Sequence, residues 1–330
     1  MENLLKRLKK RAQEDDLFTF IYRITRSLIV RVILFENFLS QELLKIKFRN
    51  RYIKKKILDN WMYLDPNDPG ISHDLFRNSV REPFATEFFR KWIKEGDVIV
   101  DIGANIGYYV LQEARLVGNS GRVYAIEPVA ENVELLQKNI ELNNYLNIEV
   151  FELAIGSENK VLPIYLTTLR NWNSMLKTKE QEPLIKKKTF VKTVTLDKFL
   201  ENKLFPNIVR MDVEGYEVEV IKGMKALLSS GKPLKLFIEI HPHIIKEKTR
   251  DLLGTLKSFG FKLKKVCREP DPYIQRQPEL IKKTINKLGK KIGIFDAGYC
   301  SEYNSIDDLL NDNELVRGEK GGLEIFLERN

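Results

Sequence analysis

Apolar and polar positions alternate with two different periods along the chain after residue 82, and this alternation predicts a sheet covered by helices. Short apolar runs that end in turn residues are typical of buried strands, and longer runs with a helical period are typical of amphipathic helices. The two kinds of run follow one another repeatedly, which is the order of an α/β fold with a parallel sheet. The predicted strands span 97–102, 122–127, 148–154, 207–212, 234–240, 261–266 and 322–327, and the predicted helices span 84–95, 105–117, 130–144, 196–202, 216–229 and 244–258.

Two polar stretches interrupt this alternation. Residues 160–194 contain two apolar runs on either side of a polar loop, which predicts an inserted hairpin. Residues 268–320 are mixed in character, and helices are predicted there at 277–289 and 305–312.

The chain before the alternation has a different texture. Residues 61–70 (WMYLDPNDPG) are rich in turn-forming residues and indicate a linker. The predicted organisation is therefore a basic amphipathic helical segment over 1–60, a linker over 61–83, and an α/β domain over 84–330 with insertions at 160–194 and 268–320.

The positive charge of the chain is concentrated at its N-terminus. The net charge is +9, and residues 1–60 hold 15 Lys and Arg against 7 Asp and Glu, so residues 61–330 contribute only +1. A basic groove for nucleic acid is therefore not predicted in the body of the protein. The chain has 2 cysteines and no ordered secretory signal, which favours a reducing, cytoplasmic location.

Residues 17–35 (LFTFIYRITRSLIVRVILF) are long enough to span a bilayer, but three arginines interrupt them. On a helical wheel Arg23, Arg26 and Arg31 gather on one side and apolar residues on the other, the pattern of a helix that lies in a membrane interface. The predicted location is therefore cytoplasmic, with peripheral contact at the inner face of the membrane through residues 1–60. The alternative is that this apolar face packs on the α/β domain or on a second subunit of a homo-oligomer.

A strand that ends in an acid and runs through a glycine-containing turn into a helix carries the first chemical signal, DVIVDIGANIGYYV over 97–110. Such a turn points backbone N–H groups and the positive end of a helix dipole at one spot. A dinucleotide site requires Gly-x-Gly-x-x-Gly, whose first glycine is absent here, and Asp101 would repel a pyrophosphate. S-adenosylmethionine fits instead, because Asp101 can anchor its ammonium group while the N–H groups of the turn receive its carboxylate.

The next two strand ends supply further walls of this predicted cofactor site. Glu127 ends the second strand and can accept both ribose hydroxyls, and Ala154 ends the third strand at the floor of the adenine pocket. The alternative is that Asp101 and Glu127 only cap the helices that follow them. Two carboxylates at adjacent strand ends favour the cofactor.

These segments together resemble the FkbM-type S-adenosylmethionine-dependent methyltransferases, a family with the class I methyltransferase fold. The resemblance covers about residues 80–245 and rests on VIVDIGANIGYY, AIEPVAEN, VTLDKFL, VRMDVEGYEVEVIKGM and FIEIHPH. It implies a Rossmann-like, mostly parallel sheet of seven strands with an antiparallel last strand. It also implies that Gly103, Asn105 and Gly107 form the cofactor turn and that a segment at Glu82 folds over the cofactor; a simple helix-initiating turn is the alternative for Glu82.

The resemblance further implies O-methylation of a hydroxyl on a sugar, a glycan or a glycolipid. Methyl transfer to an alcohol requires in-line positioning and the removal of a proton. His241 is the predicted general base, because the ordinary pKa of a histidine lies near neutrality. Asp212 and Glu214 are predicted to orient the acceptor or the histidine, and a helix cap is the alternative for Asp212.

Three neighbouring features refine this interpretation. Asp212 and Glu239 could supply oxygen ligands to a divalent metal, but such a site usually uses three or more converging oxygens, and no additional acidic or Asn pair follows the fifth strand, so no metal is predicted. Arg210 stands where the family more often has lysine, and arginine cannot act as a base. The loop Asn171–Ser174 (NWNS) is a candidate lining for the acceptor.

Competing functions are compatible with parts of the pattern. A nucleic-acid methyltransferase acting on amino groups would carry an Asn/Asp-Pro-Pro-aromatic run after the fourth strand, where this chain has Asp-Val-Glu-Gly. A non-catalytic nucleotide-binding, membrane-associated protein and an NAD-dependent dehydrogenase also compete with the methyltransferase interpretation. The predicted partner is a small-molecule, glycan or glycolipid acceptor, and no nucleic acid is expected.

Overall fold

The computed structural model describes residues 39–48, 51–179, 181–268, 299–300 and 303–330. The chain divides into two compact units, Met1–Arg51 and Tyr52–Asn330. In the first unit residues 39–48 form a helix, and the amphipathic helix predicted at 17–35 lies outside the described residues. Within the described ranges, no helix combines the length and the apolar character needed to cross a bilayer.

The second unit begins with a hairpin that crosses the boundary predicted between residues 60 and 61. β1 (Ile53–Ile57) pairs antiparallel with β2 (Asn60–Leu64). The lysines at 54–56 suggested an extension of the basic helical segment, but both isoleucines of β1 are buried and the exposed positions alternate as in a strand. The structural boundary therefore lies at Arg51 rather than at residue 60.

The segment predicted as a linker over 61–83 is also largely regular structure. It contains β2 and the helix α1 (Ile71–Asn78), and Pro83 is the first residue of α2 (Pro83–Trp92). The turn-forming residues of the segment fall between β2 and α1, where Asp65 and Asp68 accept hydrogen bonds from backbone N–H groups.

After α2, strands and helices alternate along much of the chain. The strands are β3 (Val98–Ile102), β4 (Arg122–Ile126), β5 (Ile148–Phe151), β6 (Ala154–Ile155), β7 (Lys160–Thr167), β8 (Ile185–Val194), β9 (Ile208–Met211), β10 (Leu234–Ile240), β11 (Lys262–Arg268), β12 (Tyr299–Cys300) and β13 (Leu323–Arg329). The helices are α3 (Tyr108–Val117), α4 (Ala130–Leu142), α5 (Leu196–Leu200), α6 (Glu217–Lys222), α7 (Lys225–Ser229), α8 (Pro242–Ile245), α9 (Lys248–Ser258), α10 (Ile306–Asn311) and α11 (Asn313–Val316).

The main sheet has the strand order β12-β11-β13-β10-β9-β3-β4-β5. Neighbouring strands from β10 to β5 are parallel, and β13 runs antiparallel to both β10 and β11. Apart from the two-residue β12, this is the predicted, mostly parallel sheet of seven strands with an antiparallel last strand. The class I methyltransferase fold is therefore confirmed.

The predicted hairpin insertion at 160–194 is also confirmed. β7 and β8 pair antiparallel, and β6 joins β8 to form a separate three-stranded sheet. This arrangement divides the strand predicted at 148–154, because residues 148–151 stay in the main sheet while residues 154–155 leave it to pair with the hairpin.

Two helices predicted as continuous are broken in the structure. The helix predicted at 216–229 is interrupted at Gly223, where a Cβ atom would lie 2.0 Å from the carbonyl oxygen of Gly156. The helix predicted at 244–258 is interrupted at Lys246, which has a φ of 50°. The helix predicted at 305–312 forms as α10, which α11 follows, and the one predicted at 277–289 lies outside the described residues.

Burial is most complete at the centre of the main sheet. Every residue of β3 and of β9 is buried, as expected for parallel strands with both faces covered by helices. On one face Phe237 of β10 stacks on Phe326 of β13 at a centroid distance of 4.3 Å, and Phe89 of α2 packs against both rings. Asp101, Arg210 and Glu239 lie in the carboxyl-terminal halves of β3, β9 and β10, towards the edge where the sheet opens.

Candidate active site

Two adjoining cavities open at the edge of the main sheet where the parallel strands have their carboxyl ends, the usual location of a ligand site in such folds. Their empty volumes are about 600 Å³ and about 310 Å³. Both are lined by Gly103, Asn105, Asn171 and Asp212. The larger cavity is also lined by the predicted residues Glu127, Ala154 and Glu214. Four predicted residues line neither of these two cavities: Glu82, Asp101, Gly107 and His241.

The turn between β3 and α3 is held entirely by bonds within the protein. Gly103 has a φ of +89°, and a Cβ atom there would lie 1.9 Å from the carbonyl oxygen of Asp212, so only glycine fits. The N–H groups of residues 103, 104 and 107 donate to backbone carbonyls. Those of residues 105 and 106 donate to the side chains of Glu127 and Asn105. The prediction that these N–H groups receive the carboxylate of the cofactor is therefore not supported, because all five already have partners.

Gly107 serves the same turn rather than the cavity wall. It precedes α3 with a φ of +94°, and a Cβ atom there would lie 2.6 Å from the side chain of Leu136. The glycine is therefore required by backbone conformation and by packing against α4.

Glu127 lies on the wall of the larger cavity, held by three neutral donors. Its Oε2 accepts from the N–H of Asn105 at 2.9 Å, and its Oε1 accepts from the N–H of Val129 and the Nδ2 of Asn132, both at 3.1 Å. Burial raises the pKa of Glu127 to about 7, in spite of these donors. Carboxylate oxygens accept more than one hydrogen bond, so the side chain retains capacity for ribose hydroxyls.

Arg210 connects two aspartates beneath and beside the cavities. Its Nη1 donates to Asp101 at 2.8 Å, its Nη2 donates to Asp212 at 3.2 Å, and its guanidinium lies 4.0 Å from the centre of the Tyr109 ring. Asp101 is completely buried, so the structure places it below the site as the counter-ion of Arg210 and not on the wall where an ammonium group could reach it. This corrects its predicted role.

Asp212 differs from Asp101 because it reaches both cavities. One oxygen, Oδ2, accepts from Arg210, and the other, Oδ1, is buried with no hydrogen-bond partner among the described residues. Burial, reinforced by the negative charge of Glu239, raises the pKa of Asp212 to about 6. The carboxylate is therefore ionised at neutral pH and has one oxygen free to accept a proton.

His241 is enclosed by three carboxylates. Its Nδ1 lies 2.7 Å from Oε1 of the completely buried Glu217, and its Nε2 lies 3.4 Å from Glu214 and 3.5 Å from Glu239. Burial alone would lower the pKa of His241, but these negative charges outweigh it and hold that pKa well above 6.5. These contacts stabilise the protonated imidazole, which argues against the predicted role of His241 as the general base.

Glu82 does not line the smaller cavity, but it binds Arg81, which does. It accepts from Arg81 Nε at 2.5 Å and from the Tyr109 hydroxyl at 2.8 Å. Arg81, not Glu82, lines the cavity. The segment predicted to fold over the cofactor therefore presents a guanidinium to the site.

The tip of the inserted hairpin roofs the larger cavity. Of the loop predicted to line the acceptor site, Asn171 lies on both cavities and Asn173 on the larger one, and Ser174 Oγ donates to the backbone oxygen of Glu214 at 2.8 Å. Trp172 remains 39% exposed and lines neither cavity.

Two groups of side chains within the described ranges have the spacing of metal ligands. The ligand atoms of Asp212, Glu239 and His241 lie within 4.8 Å of one another, as do those of Glu82, Glu239 and Glu324. In the first group Nε2 of His241 faces Glu214 and Glu239 as an ion-pair partner. A protonated imidazole does not ligate a metal, and metal-free chemistry stays a prediction.

Four side chains that the sequence did not identify complete the site: Arg81, Asn132, Arg210 and Glu217. Asn132 follows Glu127 by five residues and Glu217 follows Asp212 by five residues, so their place within the same motifs was an available signal. Arg210 lies two residues before Asp212 on one strand, where alternation places both side chains on one face. Arg81 carries no comparable local signal.

Comparison with known proteins agrees with the geometry of this edge. The sequence profile of the Methyltransferase FkbM domain matches residues 101–263. A hexuronic acid methyltransferase of Haloferax volcanii is 26% identical over 186 residues, which cover 56% of this chain and 72% of that protein. A probable cobalt-precorrin-6B C(15)-methyltransferase of Saccharolobus solfataricus is 36% identical over 93 residues, 26% of this chain and 45% of that protein.

The chain thus spans less than half the length of the second of these relatives. Among solved structures, a precorrin-6y C5,15-methyltransferase of Geobacter metallireducens is 11% identical with a TM-score of 0.39, over 74% of this chain and 87% of that chain. The domain matched over 101–263 contains the turn at Gly103, Glu127 on the wall of the larger cavity, and the Asp212 strand end. Residues 101–263 therefore belong to the FkbM family of S-adenosylmethionine-dependent methyltransferases.

Proposed function

We propose that this protein transfers the methyl group of S-adenosylmethionine to a hydroxyl of a sugar, glycan or glycolipid. One observation carries the proposal. Asp212 lies on the wall shared by the two cavities, with one oxygen held by Arg210 and the other buried and unbonded. A carboxylate in that position can take up the proton that a hydroxyl loses as the methyl group arrives.

The two cavities divide the reactants in this proposal. The larger cavity receives the adenosine part of the cofactor, with Glu127 accepting the ribose hydroxyls and Ala154 beside the adenine. The smaller cavity receives the acceptor, where Arg81 and Asn171 offer hydrogen-bond donors to sugar oxygens. Gly103 and Asp212 line both cavities, so the two reactants would meet beside them.

The transfer is then a single displacement. The acceptor oxygen forms a bond to the methyl carbon, the carbon–sulfur bond breaks, and its electron pair remains on the sulfur of S-adenosylhomocysteine. The hydroxyl proton passes to Asp212 and from there to solvent. Base assistance of this kind contributes roughly 10²–10⁴ to a rate.

His241 holds its surroundings in place in this scheme. As an imidazolium paired with Glu217 it neutralises part of the acidic wall that includes Glu214 and Glu239. It thereby keeps Glu214 and Glu239 oriented near Asp212 without taking the proton.

The glycan assignment has a separate support. The relative from Haloferax volcanii is named for a hexuronic acid, and such an acid is a sugar with hydroxyl and carboxylate oxygens. A nucleic-acid acceptor is disfavoured by the acidic groups around Asp212, which would repel a phosphate backbone.

The test uses the purified full chain with methyl-labelled S-adenosylmethionine and a panel of uronic acid, neutral sugar and glycolipid acceptors. Label is expected in a sugar-containing product with the wild type and to be largely lost with Asp212→Asn. Glu131→Gln, which changes an exposed acid on α4, is the matched control.

Parallel calorimetry with S-adenosylhomocysteine, NAD and ATP separates a methyltransferase from a dehydrogenase or another nucleotide-binding protein. Binding of NAD without binding of S-adenosylhomocysteine would overturn the proposal.

A further inference from the structure

We infer that the inserted hairpin formed by β7 and β8 is a docking surface for an anionic lipid bilayer. The first observation is the distribution of charge. Residues 160–194 hold 8 Lys and Arg against 2 Asp and Glu, a net charge of +6, although residues 61–330 as a whole carry only +1. The rest of that region is therefore net acidic, and its positive charge is concentrated on the hairpin.

The second observation is how the strands arrange their side chains. The outer face of the hairpin consists of Val161, Pro163 and Tyr165 on β7 and of Lys192, Phe190 and Lys188, their respective cross-strand partners, on β8. Apolar and basic side chains thus interleave on one face. Val161 is 65% exposed and Phe190 is 62% exposed, so neither is used to stabilise the fold.

The charge on this face is not neutralised by the protein. Within the described residues, Lys188 and Lys192 of this face and the exposed Lys186 that follows Ile185 on the same strand form no ion pair. By contrast, Lys177 pairs with Glu182 at 2.6 Å and Lys160 with Glu158 at 2.7 Å. Instead, Lys188 Nζ lies 5.4 Å from the centre of the Phe190 ring. Glu158 and Glu182, the acids shown beside these lysines, are therefore already paired with Lys160 and Lys177.

This combination suits a lipid surface better than nucleic acid. Lysine stems can extend to lipid phosphates while exposed aromatic and aliphatic side chains enter the interface between them. Nucleic acid would use the lysines and could stack a base on Phe190, but it gives no reason for an exposed Val161. Charge complementarity together with the apolar pair therefore points to an anionic bilayer.

The opposite face of the hairpin connects this surface to the site. Ile164 is only 2% exposed and lines the larger cavity, and the loop between the strands supplies Asn171 and Asn173 to its roof. A bilayer on the outer face would therefore lie directly behind the roof of the cavity. The inference does not depend on the acceptor proposed above, since it concerns where the protein is held.

The test places a fluorescent label at Val161→Cys in the full chain, with Cys267 and Cys300 replaced by alanine. The same label at Leu146→Cys is the matched control, because Leu146 is 93% exposed in the loop between α4 and β5, outside the hairpin. Vesicles contain phosphatidylcholine alone or with phosphatidylglycerol, and carry brominated acyl chains as quenchers. We expect quenching at position 161 with the anionic vesicles and not with the neutral ones, and no quenching at position 146.

Substitution of the three lysines that form no ion pair tests whether charge holds the hairpin on the vesicles. Lys186→Gln, Lys188→Gln and Lys192→Gln together should weaken vesicle-dependent quenching at position 161 on the order of 100-fold, at about fivefold per lysine near an anionic surface. The control triple variant, Lys225→Gln, Lys232→Gln and Lys262→Gln, removes the same charge from exposed positions elsewhere.

Three outcomes would overturn the inference. The first is full-length protein that sediments with vesicles while position 161 stays unquenched, because the bilayer is then bound by another segment. The second is no association with anionic vesicles at low salt. The third is a label at 161 that responds to a single-stranded oligonucleotide and not to vesicles, which would assign the hairpin to nucleic acid.

Discussion

The two ends of the candidate site hold their carboxylates in different ways. At the end proposed to bind the ribose, Glu127 is surrounded by neutral donors, two backbone N–H groups and one amide. At the other end, Asp212 and the acids around His241 are held by charged partners, Arg210 and an imidazolium. Neutral donors leave Glu127 able to ionise or protonate near neutrality, which suits binding of hydroxyls. Charged partners instead hold one oxygen of each of Asp101, Asp212 and Glu217, and of these three acids only Asp212 lines the cavities.

The largest expected effect comes from Asp212→Asn. Loss of the proposed base should lower turnover by roughly 10²–10⁴, while the affinity for S-adenosylhomocysteine measured by calorimetry stays at the wild-type value. Wild-type turnover should rise as the pH increases through about 6, where Asp212 loses its proton. If Asp212→Asn turns over at the wild-type rate, Asp212 takes no part in the chemistry. The proposed difference between the two ends of the site would then be wrong.

Arg210→Leu should have the next largest effect, on folding. It leaves Asp101 buried without its counter-ion, a change that typically costs about 3–5 kcal/mol, measured as the free energy of unfolding in urea. Arg210→Lys keeps a positive charge but loses the two-armed contact, so it should cost less. Equal stabilities of the two variants would show that the positive charge beside Asp101 and Asp212 does not stabilise the fold.

Glu127→Gln tests the ribose end. We expect S-adenosylhomocysteine binding to weaken by about 1.5–3 kcal/mol, since a charge-assisted acceptor is lost. In the wild type the affinity should fall as the pH drops through about 7, because the hydroxyls bind the ionised carboxylate best. The glutamine variant should show no such dependence. A wild-type affinity that is flat through pH 7 would contradict the ribose role.

His241→Asn should affect the free energy of unfolding more strongly than it affects the pH dependence of turnover. The raised pKa of His241 means that its ion pairs stabilise the fold fully below pH 6.5, and that this contribution is lost as the pH rises through the higher folded-state pKa. The wild type should therefore exceed the variant by about 1.5–3 kcal/mol at mildly acidic pH, with the gap closing at alkaline pH. A gap that widens with pH would mean that the imidazole is neutral in the folded protein.

The smallest expected effect is that of a chelator. Dialysis against EDTA should leave turnover unchanged, because the ring nitrogen that could ligate a metal with Asp212 and Glu239 is protonated and paired. Loss of turnover that returns with added magnesium would instead assign those residues to a metal.

The features that the sequence predicted correctly are those that depend on residues close together in the chain. A parallel strand ends where its apolar run stops, so the positions of Glu127 and Asp212 at the open edge followed from the pattern. The pairing of Arg210 with Asp101 joins residues 109 apart, and no local pattern encodes it. The surroundings of His241 were not predicted for the same reason, because its pKa depends on acids that only folding brings around it.

The fold shows the same limit at its edges. The hairpin over 53–64 was missed because three consecutive lysines disguise the alternation of a short strand. The break at Gly223 depends on the backbone of Gly156, which lies 67 residues earlier in the chain. Contacts of this kind are set by the packed structure and leave little trace in periodicity.

The fully bonded turn between β3 and α3 has a consequence for the thermodynamics of ligand binding. Ordering a backbone residue costs about 1–2 kcal/mol, and at residues 103–107 that cost has already been met during folding. The turn should therefore keep its conformation when the cofactor binds, and the protein should lose little conformational entropy there. Any induced fit should be confined to the roof supplied by the inserted hairpin, and amide hydrogen exchange should slow there on binding while it is already slow at the turn.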